Sequence, residues 1–227
     1  SIVQRPYGII ADPAVTPKAV FVSAFSTAPL AADCEYAFKD ELEAVQAGIT
    51  AMSRIAKVHV CVNSESSIFA KISDATVHTV VARKHPAGNV GVQISHLSPI
   101  KKGETVWTLN LLSLAAIGKL FKTGKLVLDR KVAVTGPAAK EPAYFEALPG
   151  TPAKALAGQL DPEVEVRFIS GDVLSGESIG ADGYLGFFDN QLTLIKEGRE
   201  REILGWANPL RFNQFSSSMA YFSWLKP

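Results

Sequence analysis

At 227 residues, 47% hydrophobic and 20% charged, the chain carries enough apolar mass for one large or two small cores, and its composition speaks against disorder. A formal net charge of +1, with no lysine or arginine run gathered into a basic face, argues against a nucleic-acid partner. Two cysteines, Cys34 and Cys61, are too few for a disulfide-built fold or a cysteine-ligated iron–sulfur cluster, and the count suits a reducing, cytoplasmic compartment.

Ser1 to Pro17, rich in proline and polar residues, reads as a lead-in segment. Lys18 to Ala24 is a predicted strand, and Phe38 to Ala56 a predicted helix with Phe38, Leu42, Val45, Ile49, Met52 and Ile55 on one stripe. Lys57 to Asn63 reads as a second strand, Ser66 to Ile72 as a short helix and Thr76 to Ala82 as a third strand. This alternation predicts a parallel sheet with helices on its faces, whose ligands bind at the carboxyl ends of the strands. Those ends carry Ser23, Ser26 and Thr27 after the first strand, Asn63 to Ser66 after the second, and Arg83, Lys84 and His85 after the third.

Gly103 to Gly136 closes one unit and opens another. Val106 to Asn110 is a predicted strand, and Leu111 to Phe121 has the 3.6-residue period of a buried helix face. Gly118 within that face either weakens the helix or lets it pack closely, and Lys122 with Gly124 forms a stop signal. Beyond it, Lys131 to Val134 and Ala143 to Leu148 are predicted to pair, with Thr151 as N-cap of a helix from Pro152 to Leu160. Val164 to Ser170 is a further strand, and Tyr184 to Phe188 with Gln191 to Lys196 reads as a hairpin across Asp189 and Asn190. Two strands, a helix and another strand fit a small β-grasp unit.

The chemistry is defined largely by what is missing. The first strand runs into SAFSTAPLAAD, with no glycine for the tight turn and close backbone approach that a pyrophosphate requires. Neither a Walker A sequence nor a Gly-x-Ser-x-Gly elbow occurs. The most unusual local sequence is HPAGNVG, where the amides of Gly88 and Gly91 could approach a ligand, with Arg83, Lys84 and His85 adding donors. The alternative is a structural loop whose proline and glycines set backbone angles. His59 and Cys61 share one side of a strand, but without a third ligand they read as packed core, so no metal is assigned. His78, inside a strand, and His96, read as lying in a loop, have no sequence-near carboxylate to orient them, and no catalytic residue is assigned. Glu197 to Glu202 could dock a partner, but a run of mixed sign reads as a solvated face.

The segments QRPYGIIADP (Gln4–Pro13), TPKAVFVSAFSTAPLA (Thr16–Ala31), HPAGNVG (His85–Gly91), ISGDVLSG (Ile169–Gly176) and EGREREILGW (Glu197–Trp206) occur in the order found in one family. Through them the chain resembles, nearly end to end, the A subunit of the Na+-translocating NADH:quinone oxidoreductase, a bacterial respiratory sodium pump. The resemblance implies a Rossmann-like parallel-sheet domain over residues 1–127, a soluble-ligand-binding β-grasp domain over 128–196, and the start of a C-terminal region over 197–227. The first residue, Ser1, and the aromatic run Met219–Pro227 fit a fragment cut from a longer chain. The same two-domain core is similar to the C subunit of the Rnf complex and to the NADH-binding flavoprotein of respiratory complex I. The glycine-rich flavin loop and cysteine cluster of those relatives are missing here, so flavin mononucleotide, NADH and iron–sulfur binding are not carried over. The resemblance implies a peripheral protein on the cytoplasmic side of the inner membrane, partnered by the other pump subunits, with quinone as ligand of the full-length protein. Where the family usually has two histidines after the HPAG loop, this chain has Gln93, Ile94, Ser95 and His96, so no role resting on that pair is transferred. Two rival functions are a stand-alone small-ligand β-grasp module and an Rnf-like electron carrier.

Overall fold

The computed structural model describes residues 2–81 and 84–199, and the segment through Lys196 forms one compact body carrying two sheets. The first sheet has the strand order β2-β1-β6-β3-β4-β5, from β1 (Val3–Arg5), β2 (Ile9–Ile10), β3 (Val20–Ser23), β4 (Val58–Val62), β5 (Thr76–Thr79) and β6 (Val106–Leu109). Strands β6, β3, β4 and β5 run parallel, as their βα alternation dictates. The sheet is mixed, however, because β1 adds to β6 antiparallel and β2 folds back on β1, Val3 opposite Ile10. The lead-in segment therefore adds two strands at one end of the sheet, β2 at its edge, with Gly8 in a left-handed conformation at the turn between them.

One face of this sheet is dry. Val20, Val22, Val58, Val60, Val62, Trp107 and Leu109 pack against α2 (Leu42–Ser53) and α4 (Leu111–Thr123). These helices meet backbone to backbone: a Cβ on Gly48 would lie 2.2 Å from the Leu114 carbonyl oxygen, and one on Gly118 only 1.7 Å from that of Ala44. Gly118 thus serves close packing. Asn110 caps α4 through Ser113 N at 2.8 Å, and Gly124 ends it in the left-handed region. The other face is covered by α3 (Val90–Leu97), where Ile94 packs on Ala19, Phe21 and Val106. His96 therefore sits in the last turn of a helix and not in a loop.

The long predicted helix is two helices. The first, α1 (Cys34–Phe38), is capped by the Asp33 carboxylate, which accepts from Glu35 N and Tyr36 N, and α2 begins only at Leu42. At the break, Lys39–Glu41, two side chains make long-range ion pairs: Asp40 meets Lys131, and Glu41 meets Lys119 at 2.9 Å. Phe38 remains core as part of α1, whereas Ile55 lies beyond α2 and is 44% exposed. The segment from Ser66 to Ile72 forms turns, not a helix. Ser64 and Ser67 side chains accept from the amides of Ser66 and Phe69, competing with helical bonding.

The second sheet has the order β10-β9-β11-β7-β8, from β7 (Arg130–Thr135), β8 (Ala143–Ala147), β9 (Val166–Ser170), β10 (Glu177–Ser178) and β11 (Gln191–Lys196). β7 and β8 pair antiparallel as predicted, while β11 runs parallel to β7 and antiparallel to β9. Their core is Val132, Val134, Phe168, Leu185, Leu192 and Leu194, with Leu156 of α5 (Ala153–Ala157). Pro152, not Thr151, holds the N-cap position, and the Thr151 hydroxyl instead donates to Leu148 O at 2.7 Å. α5 ends at Gly158, short of Leu160. No hairpin joins residues 184–188 to β11: Tyr184 makes a single bridge to Pro152, and the rest is a loop. Both units are thus α/β with mixed sheets.

Candidate functional site

One crossover leads from β3 to β4 on one side, and the chain returns from β5 through α3 to β6 on the other, so the strand order reverses at β3, the point in such sheets where a crevice opens at the carboxyl ends. A cleft of about 730 Å³ lies there. Ser23 and Leu109–Asn110, at the ends of β3 and β6, form its floor; Asn89 to Val92, at the start of α3, form one wall; Ser175 and Phe188 reach in from the second unit. Arg5 at the end of β1 contributes a guanidinium whose Nε is buried without an acceptor.

The wall is stitched to the strand end. Ser23 Oγ lies 3.0 Å from the carbonyl oxygens of Phe25 and Gly88, donating its proton to one, and accepts from Gln93 Nε2 at 2.9 Å. Gln93 Nε2 also donates to Ala87 O at 3.1 Å, and Gly88 N donates to Thr27 Oγ1 at 2.9 Å. Of the five residues singled out in HPAGNVG and just before it, Gly88 and Gly91 line the cleft. They do so for opposite reasons. A Cβ on Gly88 would lie 2.6 Å from Thr27 N, so its bareness serves the fold, whereas a Cβ on Gly91 would meet nothing within 4 Å. Lys84 and His85 are exposed and outside the cleft lining, and Arg83 lies outside the described residues, as do Glu200 to Glu202 of the charged run. His85 Nδ1 is 3.4 Å from Thr27 Oγ1, and its charge bears on Asp172. Burial raises the Asp172 pKa, but hydrogen bonds from Ser175 Oγ, Leu174 N and Ser175 N, helped by His85, outweigh this and hold the carboxyl below its usual range.

Sequence reasoning reached Ser23 through the strand-end rule but missed Arg5, Asn110, Ser175 and Phe188. Arg5 was hidden in the lead-in segment, where the apolar pair Ile9–Ile10 after Tyr7–Gly8 is the available hairpin signal. The His59 and Cys61 reading also gains a member, since His78 stands opposite Cys61 across β4 and β5, and its Nε2 is 2.8 Å from His59 Nδ1. The His59 ring stacks on Phe21 at 4.6 Å, and burial, His78 and Lys57 push its pKa down to about 4. Among the described residues, no group of three or more histidine, cysteine or acidic side chains is placed to hold a metal ion.

The second unit is fastened to the first by the segment around Leu30. Gln191 Nε2 donates to Leu30 O at 2.9 Å while its Oε1 accepts from Ala32 N at 2.7 Å. Tyr144 Oη accepts from Asp33 N at 2.8 Å, and Asn110 Nδ2 donates to Phe188 O at 3.2 Å. Cys34 lies in this joint, its thiol pushed up to about 11 by burial and by the carboxylates of Asp33 and Glu35.

These features define a class: an open α/β unit with a switch-point cleft, closed on one side by a second, mixed-sheet unit. The family description "NqrA second alpha/beta domain" matches residues 1–126, and "NQRA C-terminal domain" matches residues 131–180; the chain belongs to this NqrA family. It is 36% identical over 223 residues to the Na(+)-translocating NADH-quinone reductase A subunit of Yersinia pestis bv. Antiqua, covering 96% of this chain and 50% of the relative. The A subunit of Pseudomonas aeruginosa strain UCBPP-PA14 is 40% identical over 202 residues (88% and 45%), and that of Alcanivorax borkumensis 38% over 226 residues (98% and 50%). The chain spans about half the length of the curated relatives it matches. Among the described residues, no helix is long and apolar enough to cross a membrane.

Proposed function

We propose that this chain is the central part of a peripheral, cytoplasmic-side subunit of a Na+-translocating NADH:quinone reductase, and that it contributes to quinone reduction coupled to sodium export. The observation that carries this reading is the match to A-subunit relatives along nearly the whole chain. In this reading residues 1–127 form a Rossmann-like domain, 128–196 a soluble-ligand-binding β-grasp domain and 197–227 the start of a C-terminal region. The protein docks on the membrane subunits of the pump and brings no flavin or iron–sulfur cluster within this segment. Two thiols cannot supply the four cysteines of a common cluster, and Cys61 is sealed in the core of β4.

The switch-point cleft is the ligand site of this reading, with quinone as its ligand. Its lining suits a ring with polar substituents: Val3, Val90, Leu109 and Phe188 offer apolar surface, and Ser23, Asn110, Ser175 and Arg5 offer polar groups at the rim and floor. Because both units line the cleft, an isolated β-grasp module would not enclose such a ligand. Gly88 and Gly91 border it, Lys84 and His85 come just before them in the chain, and Arg83 lies outside the described residues. The test is a membrane complex assembled without this protein. Quinone reduction and sodium transport are expected to collapse; rates equal to those of the intact complex would refute the proposal.

A further inference from the structure

Arg130 opens β7, is 4% exposed and is not among the residues that line the cleft. Its Nη1 donates to Phe187 O at 2.5 Å and its Nη2 to Gly186 O at 2.8 Å, while Nε has no acceptor. Burial lowers its pKa, and Asp189 counters that in part. A buried guanidinium held mainly by neutral carbonyls is a costly way to stabilise a fold, since an apolar side chain of similar volume often does as well. Its geometric product is a fixed loop. From the other side Ser170 Oγ donates to Asp189 Oδ2 at 2.5 Å and accepts from Gly186 N at 2.9 Å. The third anchor is Asn110, whose Nδ2 holds Phe188 O from across the joint.

The loop carries two outward aromatic rings, Phe187 at 52% and Phe188 at 46% exposure, packed edge to face at 4.9 Å. Exposed rings on a rigid backbone lose little freedom when a ligand settles on them. Phe188 lines the cleft. We infer that Arg130 is a positioning residue, which acts through the carbonyls of Gly186 and Phe187 to hold Phe188 as the fixed wall of the cleft. This inference rests on the cleft being the quinone site proposed above.

The test measures steady-state reduction of ubiquinone-1 by the assembled membrane complex. Phe188→Ala and Arg130→Met are each expected to raise KM about tenfold with kcat within about twofold, the size of effect one well-placed ring contributes. Arg130→Lys, which keeps a donor, recovers most of the loss. The double variant is expected to stay near tenfold, because both changes remove the same wall, whereas independent effects would multiply to about a hundredfold. Should Arg130→Met fail to assemble, Arg130→Gln, whose amide can donate to only one of the two carbonyls at a time, is read in its place; a KM rise of about threefold is expected. The inference is overturned if Phe188→Ala raises KM while Arg130→Met, or Arg130→Gln in its place, leaves it unchanged, or if the double variant is multiplicative. An unchanged KM in Phe188→Ala sinks the quinone-site reading itself.

Discussion

The two faces of the first sheet are built on different principles. Toward α2 and α4 the contact is apolar and so close that backbones touch at Gly48 and Gly118. Toward α3 the same strands present Ser23, His59, Cys61 and, from the neighbouring strand, His78, with Gln93 reaching down from the helix. The dry face has no room for an added atom at Gly48 or Gly118, while the other face adds directed bonds to the small apolar cluster of Ala19, Phe21, Ile94 and Val106 and leaves open space beside Gly91. Stability is concentrated on one side of the sheet and adaptable surface on the other.

The harshest way to break this contrast is on the dry face. Gly118→Val is expected to cost about 4 kcal/mol or more, since its Cβ would enter the Ala44 carbonyl and only a shift of α2 relieves it. Urea denaturation reads this as a collapse of the midpoint. On the polar face Gly88→Ala is expected to cost about 1–3 kcal/mol, because the Thr27 loop must move and the Gly88 N to Thr27 Oγ1 bond loosens. A milder perturbation is acid. The folded His59 pKa of about 4 lies below its ordinary 6.5, so the unfolded chain takes up more protons between those values. The contribution of this residue is complete above pH 6.5 and declines as the pH falls toward 4. Urea midpoints at pH 7.5 and 4.5 should separate for the parent and draw together in His59→Phe. The smallest effect is expected at Gly91. Gly91→Ala should be neutral or raise stability by about 0.5 kcal/mol through better helix propensity, with its methyl entering free space. A loss comparable to Gly88→Ala would mean that Gly91 too is structural.

Much of the fold was legible because local pattern and tertiary demand agree. The Leu111 stripe became α4 with only its last two residues added, and Val45, Ile49 and Met52 are buried as their spacing requires. The failures have a common physical cause, which is partners far away in sequence. Nothing near Asp40 and Glu41 announces that Lys131 and Lys119 will pair with the turn between the two helices. Nothing near Tyr184 to Phe188 announces that Arg130 and Ser170 will satisfy its backbone in place of a neighbouring strand. For the site, the strand-end rule led to Ser23 and to the border of the cleft. Gly88 and Gly91 are the same residue three positions apart, and only their surroundings separate a packing glycine from an open one.

The amide of Gln191 has a consequence of its own. By donating to Leu30 O and accepting from Ala32 N, one side chain binds the backbone of the first unit much as an adjoining β-strand would. It does so at a residue with a positive φ of 61°, a conformation that leucine adopts only when its surroundings enforce it. This two-point grip is one that a carboxylate cannot reproduce, because Gln191→Glu would place an acceptor against the Leu30 carbonyl. A carboxamide outside the cleft lining thus shares with Tyr144 and Asn110 the bonds that fix how the two units meet beside the cleft.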